Sequence, residues 1–157
     1  MKYKLINKTK ISRDILETLI EFAFPKDVDD VTISVMYDKT GSAWNAYTSG
    51  FSSKKRTVKI WIQKGQIKFP RYSNDRRAKS AGYDPVFLIT DTDELLVSLF
   101  AHELRHIWQS SVSRQNFLKS KLGYYTSWDG EKMTCISRME KDACKYAKKT
   151  LERYRNL

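Results

Sequence analysis

The chain has 157 residues, 41% of them hydrophobic and 13% aromatic, which suits one folded domain with a real core and excludes a disordered chain. Its net charge of +11 favours acidic partners such as nucleic acid, although no nucleic-acid-binding motif accompanies the charge. No apolar run approaches the roughly 18 residues that span a bilayer, residues 1–10 hold no apolar signal core, and two cysteines make no disulfide framework.

In chain order, Ile11, Ile15, Leu16, Leu19, Ile20 and Ala23 recur at helical spacing, and Pro25 closes the segment, which predicts an amphipathic helix. Val31, Ile33, Val35 and Tyr37 alternate with Thr32, Ser34 and Met36 as in a half-buried strand. After the turn at 38–42, Ala43 to Ser49 reads as the returning strand of a hairpin. Val58, Ile60 and Ile62 mark a third strand, which Gly65 breaks, with Ile67 to Phe69 as a short extension. Arg71 to Asp84 reads as a basic loop, and Val86 to Thr90 as a short apolar strand. Asp91-Thr92-Asp93-Glu94 opens a second helix with acidic residues suited to N-capping and to the helix dipole. Ser110 to Ser127 is ambiguous, with a short helix near Gln115 to Lys121. A last helix is expected from about Asp129 to about Arg153.

The chemistry concentrates on the second helix. The only two histidines of the chain lie in His102-Glu103-Leu104-Arg105-His106, the HExxH pattern. Residues four apart on a helix are separated by a rise of about 6 Å and project from one face. Both imidazoles can therefore bind one metal ion, with Glu103 beside them to reach a water on it. Leu95, Leu99, His102 and His106 share one stripe, so the histidines emerge from the buried side of the helix.

A catalytic zinc usually takes three protein ligands, and there is no third histidine. On the last helix Ile136, Glu140, Ala143, Ala147 and Leu151 form a stripe in which Glu140 is the one charged member. A buried carboxylate is costly without a compensating cation, and an ion between the two helices would supply one. Asp142, between Lys141 and Lys145, reads as part of a solvated face. Asp142, Cys144 and Asp129 are the alternatives to Glu140. If Cys135 and Cys144 share this helix, nine residues turn them to opposite sides and they cannot pair.

Ala101-His102-Glu103-Leu104-Arg105-His106-Ile107-Trp108-Gln109, followed by Glu140-Lys141-Asp142-Ala143-Cys144-Lys145-Tyr146-Ala147, resembles the small zincin-like metallopeptidases of the gluzincin type. The second segment looks like the corresponding helix of ImmA/IrrE-type peptidases. The small basic build is less closely similar to SprT-like peptidases, which rely on a third histidine. The resemblance covers about 50 residues and implies a single zincin-like α+β domain over residues 1–157. That domain would have an N-terminal helix, a small mostly antiparallel sheet, the HExxH helix and a long C-terminal helix.

The expected function is a zinc-dependent metallopeptidase acting on a protein or peptide substrate. His102, His106 and Glu140 would hold Zn²⁺, and Glu103 would activate the zinc-bound water. Tyr124 and Tyr125, between the two helices in sequence, are candidate transition-state stabilisers whose plainer role is aromatic packing. The strand Thr57 to Gln63 is expected as the edge that receives an extended peptide. A cytoplasmic location without membrane attachment is expected. The alternative is a basic nucleic-acid-associated protein with a structural or inactive metal site.

Overall fold

A computed structural model describes residues 2–39, 45–49, 56–65, 67–72, 87–112 and 138–157. The described elements, in order, are β1 (Tyr3–Lys8), α1 (Arg13–Ala23), β2 (Val31–Tyr37), β3 (Asn45–Ser49), β4 (Arg56–Ile62), β5 (Arg71–Tyr72), β6 (Leu88–Ile89), α2 (Thr92–Val112) and α3 (Arg138–Arg155). The architecture is α+β, as expected. No described helix is long and apolar enough to cross a membrane.

The sheet differs from the expectation. Its order is β1-β2-β4-β3, with β1, β2 and β4 parallel and only β3 antiparallel. The expected mostly antiparallel sheet is thus corrected to a mostly parallel one. One cause is β1, which precedes the first helix and turns β1-α1-β2 into a parallel crossover unit; the other is β4, which inserts between β2 and β3 and pairs with β2 in parallel. A parallel pair needs such a long connection, whereas a hairpin does not. Only Leu5 of β1 is buried, so the strand has almost no alternating signal. Likewise β3 is not the return of a hairpin from β2; it pairs with β4, Thr48 lying opposite Val58. The strand expected to receive a peptide, Thr57 to Gln63, falls largely on β4, which is covered on both sides by β2 and β3. It has no open edge to offer.

Register fixes what faces the helices. Leu5, Ile33, Val58 and Thr48 stand in one row across the sheet, and directly opposed residues project to the same face. This face carries the buried Val31, Val35, Ile60 and Ile62 and meets Leu16, Leu19 and Ile20 of α1 and Leu95, Leu96, Phe100, Leu104 and Ile107 of α2 in one core. The opposite face carries the exposed Lys4 and Lys59. Thr48 is therefore a hydroxyl on the helix side of the edge strand.

The N-terminus of α2 is capped as expected. The Glu94 amide donates to Asp91 Oδ1 at 2.8 Å, satisfying an otherwise unpaired first-turn donor. Helix α2 runs five residues beyond Ile107, to Val112. On α3 the stripe Ala143, Ala147 and Leu151 is buried as expected. Asp129, Cys135 and Ile136, Tyr124 and Tyr125, and the short helix near Gln115 to Lys121 lie outside the described residues.

Candidate metal centre

Helix α2 packs along α3, and their contact brings together the three residues chosen from the sequence. His102 Nε2 and His106 Nε2 are 3.2 Å apart. Glu140 closes the triangle, with Oε2 at 3.1 Å from His102 Nε2 and Oε1 at 2.8 Å from His106 Nε2. The two rings meet edge to face at 83° with centroids 4.9 Å apart, so their nitrogens converge without stacking. The three side chains keep 19%, 10% and 14% of their surface, so the cluster is mostly but not fully buried.

The donor set fits a divalent ion. Bonds of about 2.0–2.1 Å to tetrahedral zinc place neighbouring ligands about 3.3 Å apart. Here the histidine nitrogens are 3.2 Å apart, and Glu140 brings one oxygen to 3.1 Å from His102 and its other oxygen to 2.8 Å from His106; with one atom from each residue the set lies within 4.8 Å. Two imidazole nitrogens and a carboxylate aimed at one point need a cation or a proton between them. The titration behaviour follows. Burial opposes charging His102, but the Glu140 carboxylate and the Cys144 sulfur outweigh it and hold the imidazole well above its ordinary range. Burial likewise favours the neutral acid of Glu140, yet the two imidazoles prevail and keep it ionised far below the usual carboxylate range.

Glu103 is buried beside the pair, where the step from His102 along α2 puts it. Its carboxylate accepts a hydrogen bond from the Thr48 hydroxyl, which also donates to the Glu103 carbonyl at 3.3 Å. Thr48 was not evident from the sequence, because the row that carries it depends on a strand pairing that the sequence does not announce.

The remaining candidates are now placed. The Cys144 sulfur lies 3.5 Å from His102 Nδ1, on the other side of the ring from Glu140, so it supports the histidine and is not part of the ligand triangle. Asp142 stays partly in solvent beside the exposed Lys141 and Lys145, with 42% of its side chain exposed, but it also has a partner across the helix pair. It turns towards α2, where it is bound by Arg105 through Nε at 2.8 Å and a second guanidinium nitrogen at 3.3 Å. Arg105 lies 3.7 Å over the Trp108 ring and 5.0 Å from the Tyr146 ring. Gln109, also missed from sequence, bridges His106 and Asp142 at 2.8 Å each. The available signal was its position three residues after His106, on the same face of α2.

No family model, curated protein or solved structure matches the chain. The chemistry of the site alone carries the functional reading.

Proposed function

We propose that the protein is a zinc-dependent metallopeptidase with a zincin-like fold, hydrolysing peptide bonds of a protein or peptide substrate. One observation carries the reading: Glu140 of α3 and the two histidines of α2, His102 and His106, bring ligand atoms within 4.8 Å of one another, and α2 also carries Glu103. In this reading the three residues hold Zn²⁺. A bound zinc ion supplies Lewis-acid polarisation of a carbonyl and lowers the pKa of water towards about 7. Glu103 takes the proton of the attacking water and later delivers it to the leaving amine. Thr48 holds the Glu103 carboxylate in one orientation. The outer edge of β3 is unpaired among the described residues, and an extended peptide added there would run past Thr48 towards Glu103. A cytoplasmic setting is part of the proposal.

The test is zinc content together with cleavage of an unfolded protein substrate, for wild type and Glu103→Ala. One zinc per chain in both, with cleavage only by wild type, supports the reading. A wild-type protein that takes up no zinc overturns it.

A second reading, association with nucleic acid, is favoured by a specific feature. Lys141, Lys145 and Lys149 are exposed one turn apart on α3, and none forms an ion pair among the described residues. Like charges at this spacing disfavour the helix, and the apolar stripe of α3 is already in the core, which leaves charge as the means of recognition. Binding of duplex DNA with a log–log salt slope of about −3 would fit three neutralised phosphates. No loss of binding on reversing the three lysines to glutamate would remove this role.

A further inference from the structure

We infer that Gln109 is a positioning residue that fixes the ring state of His106 and the placement of Glu140, with Asp142 keeping its amide from flipping. The inference rests on the metal-site reading and adds residues that no HExxH pattern contains.

A side-chain amide has a donor end and an acceptor end, and only its partners decide which is which. Gln109 Nε2 lies 2.9 Å from the Met139 carbonyl oxygen and 2.8 Å from Asp142 Oδ2. Both are acceptors, the second because Arg105 donates to both oxygens of that carboxylate. The amide nitrogen must therefore point to α3. Its oxygen then faces His106 Nδ1, at 2.8 Å. An acceptor in that place requires a proton on Nδ1. With Nδ1 committed to Gln109, Nε2 is the nitrogen that faces Glu140 and His102, sharing a proton with the carboxylate or giving its lone pair to a metal ion. The second is the ring state that a metal ligand needs.

Two further features make Gln109 hard to replace. It is only 3% exposed, so water cannot easily take over its bonds. Its two acceptors on α3 also bracket Glu140, being residues 139 and 142. The same amide therefore orients one ligand from α2 and holds the segment of α3 that delivers the third. His102 has a softer support, the Cys144 sulfur at 3.5 Å. The order of support predicts that His106 is the better-held histidine.

The experiment is zinc affinity by chelator competition for wild type, Gln109→Met, Asp142→Ala and the double variant, with the cobalt(II) absorption spectrum of each. Gln109→Met keeps the volume and removes the hydrogen bonds. We expect it to weaken zinc binding by about 10–100-fold, the usual effect of losing such a support, and to alter the cobalt bands. Asp142→Ala should weaken binding less. It should cause no further loss in the Gln109→Met background, because its effect passes through Gln109. If wild type binds zinc and Gln109→Met binds it as tightly with the same cobalt spectrum, the assignment fails and the site stands. If wild type binds no zinc, the metal site fails and the assignment with it. Should Gln109→Met not fold, Asp142→Ala decides alone, and unchanged affinity overturns the assignment.

Discussion

The Thr48 hydroxyl on the edge strand donates to the carboxylate of Glu103 on α2, across 55 residues of sequence. The same hydroxyl also reaches the Glu103 carbonyl, so Thr48 ties β3 to the residue proposed as the base. A hydrogen bond to an ionised group contributes about 1.5–3 kcal/mol. If it orients Glu103 for proton transfer, Thr48→Val should lower kcat by about 10–100-fold with zinc content unchanged, and Thr48→Ser should restore most of the loss. Equal kcat in Thr48→Val and wild type would reduce the contact to packing.

Glu140 offers one oxygen to each histidine, so removing it should remove the metal and not merely slow a reaction. Ligand at 100 times its Kd stabilises a folded protein by about 2.7 kcal/mol. For a domain of this size that is about 5–10 °C in Tm. Chelation should lower the Tm of zinc-loaded wild type by this amount and leave Glu140→Ala unmoved. Scanning calorimetry with and without chelator measures both. A chelator-sensitive Tm in Glu140→Ala would point to another ligand.

The ligand set was legible because each part of it is local. HExxH spacing puts two imidazoles on one helical face, and a single carboxylate in an apolar stripe marks its own anomaly. Glu140 answers both, which is why pattern and structure meet there. Asp142 was read only in part for the same local reason. Its neighbours Lys141 and Lys145 suggest solvent, and the side chain is still partly exposed, but its partner Arg105 is 37 residues away in sequence. The sheet shows the limit most plainly. Strand periodicity located β2 and β4, but not that β4 inserts between β2 and β3, and β1, whose single buried residue is Leu5, is too weak a signal. Thr48 inherits that difficulty, since its direction is set by its register with Val58.

Arg105 is held in a way that lysine cannot copy. Its planar guanidinium lies over Trp108 and meets both oxygens of Asp142. A lysine would keep the charge and lose both the stacking and the fork. Arg105→Lys should therefore destabilise the protein by about 1–2 kcal/mol, measured as a lower urea midpoint with an unchanged slope. Stability equal to wild type would show that charge alone is what α3 requires at this point.

Glu94 and Arg155 give the clearest pH signature. Arg155 Nε donates to Glu94 Oε2 at 2.6 Å and a second guanidinium nitrogen donates to Oε1 at 2.8 Å, tying the last turn of α3 to the first turn of α2. The hydrogen bond from Arg155 is the main reason that the Glu94 carboxyl falls to about 2; burial opposes the shift and the Thr90 hydroxyl and amide assist it. A carboxyl whose folded pKa is depressed binds its proton more readily in the unfolded chain. Its stabilisation is therefore complete above the unfolded value of 4.5 and is lost as pH falls from there towards about 2. Glu94→Gln should cost about 2–3 kcal/mol at pH 7. The gap between variant and wild type should shrink below pH 4.5 and be mostly gone near pH 2, which urea unfolding at a series of pH values measures. Comparing the two proteins cancels the acid sensitivity that they share. A gap that stays constant from pH 7 to pH 2 would mean that the ion pair contributes through shape and packing, and that the charge of Glu94 does not stabilise the fold.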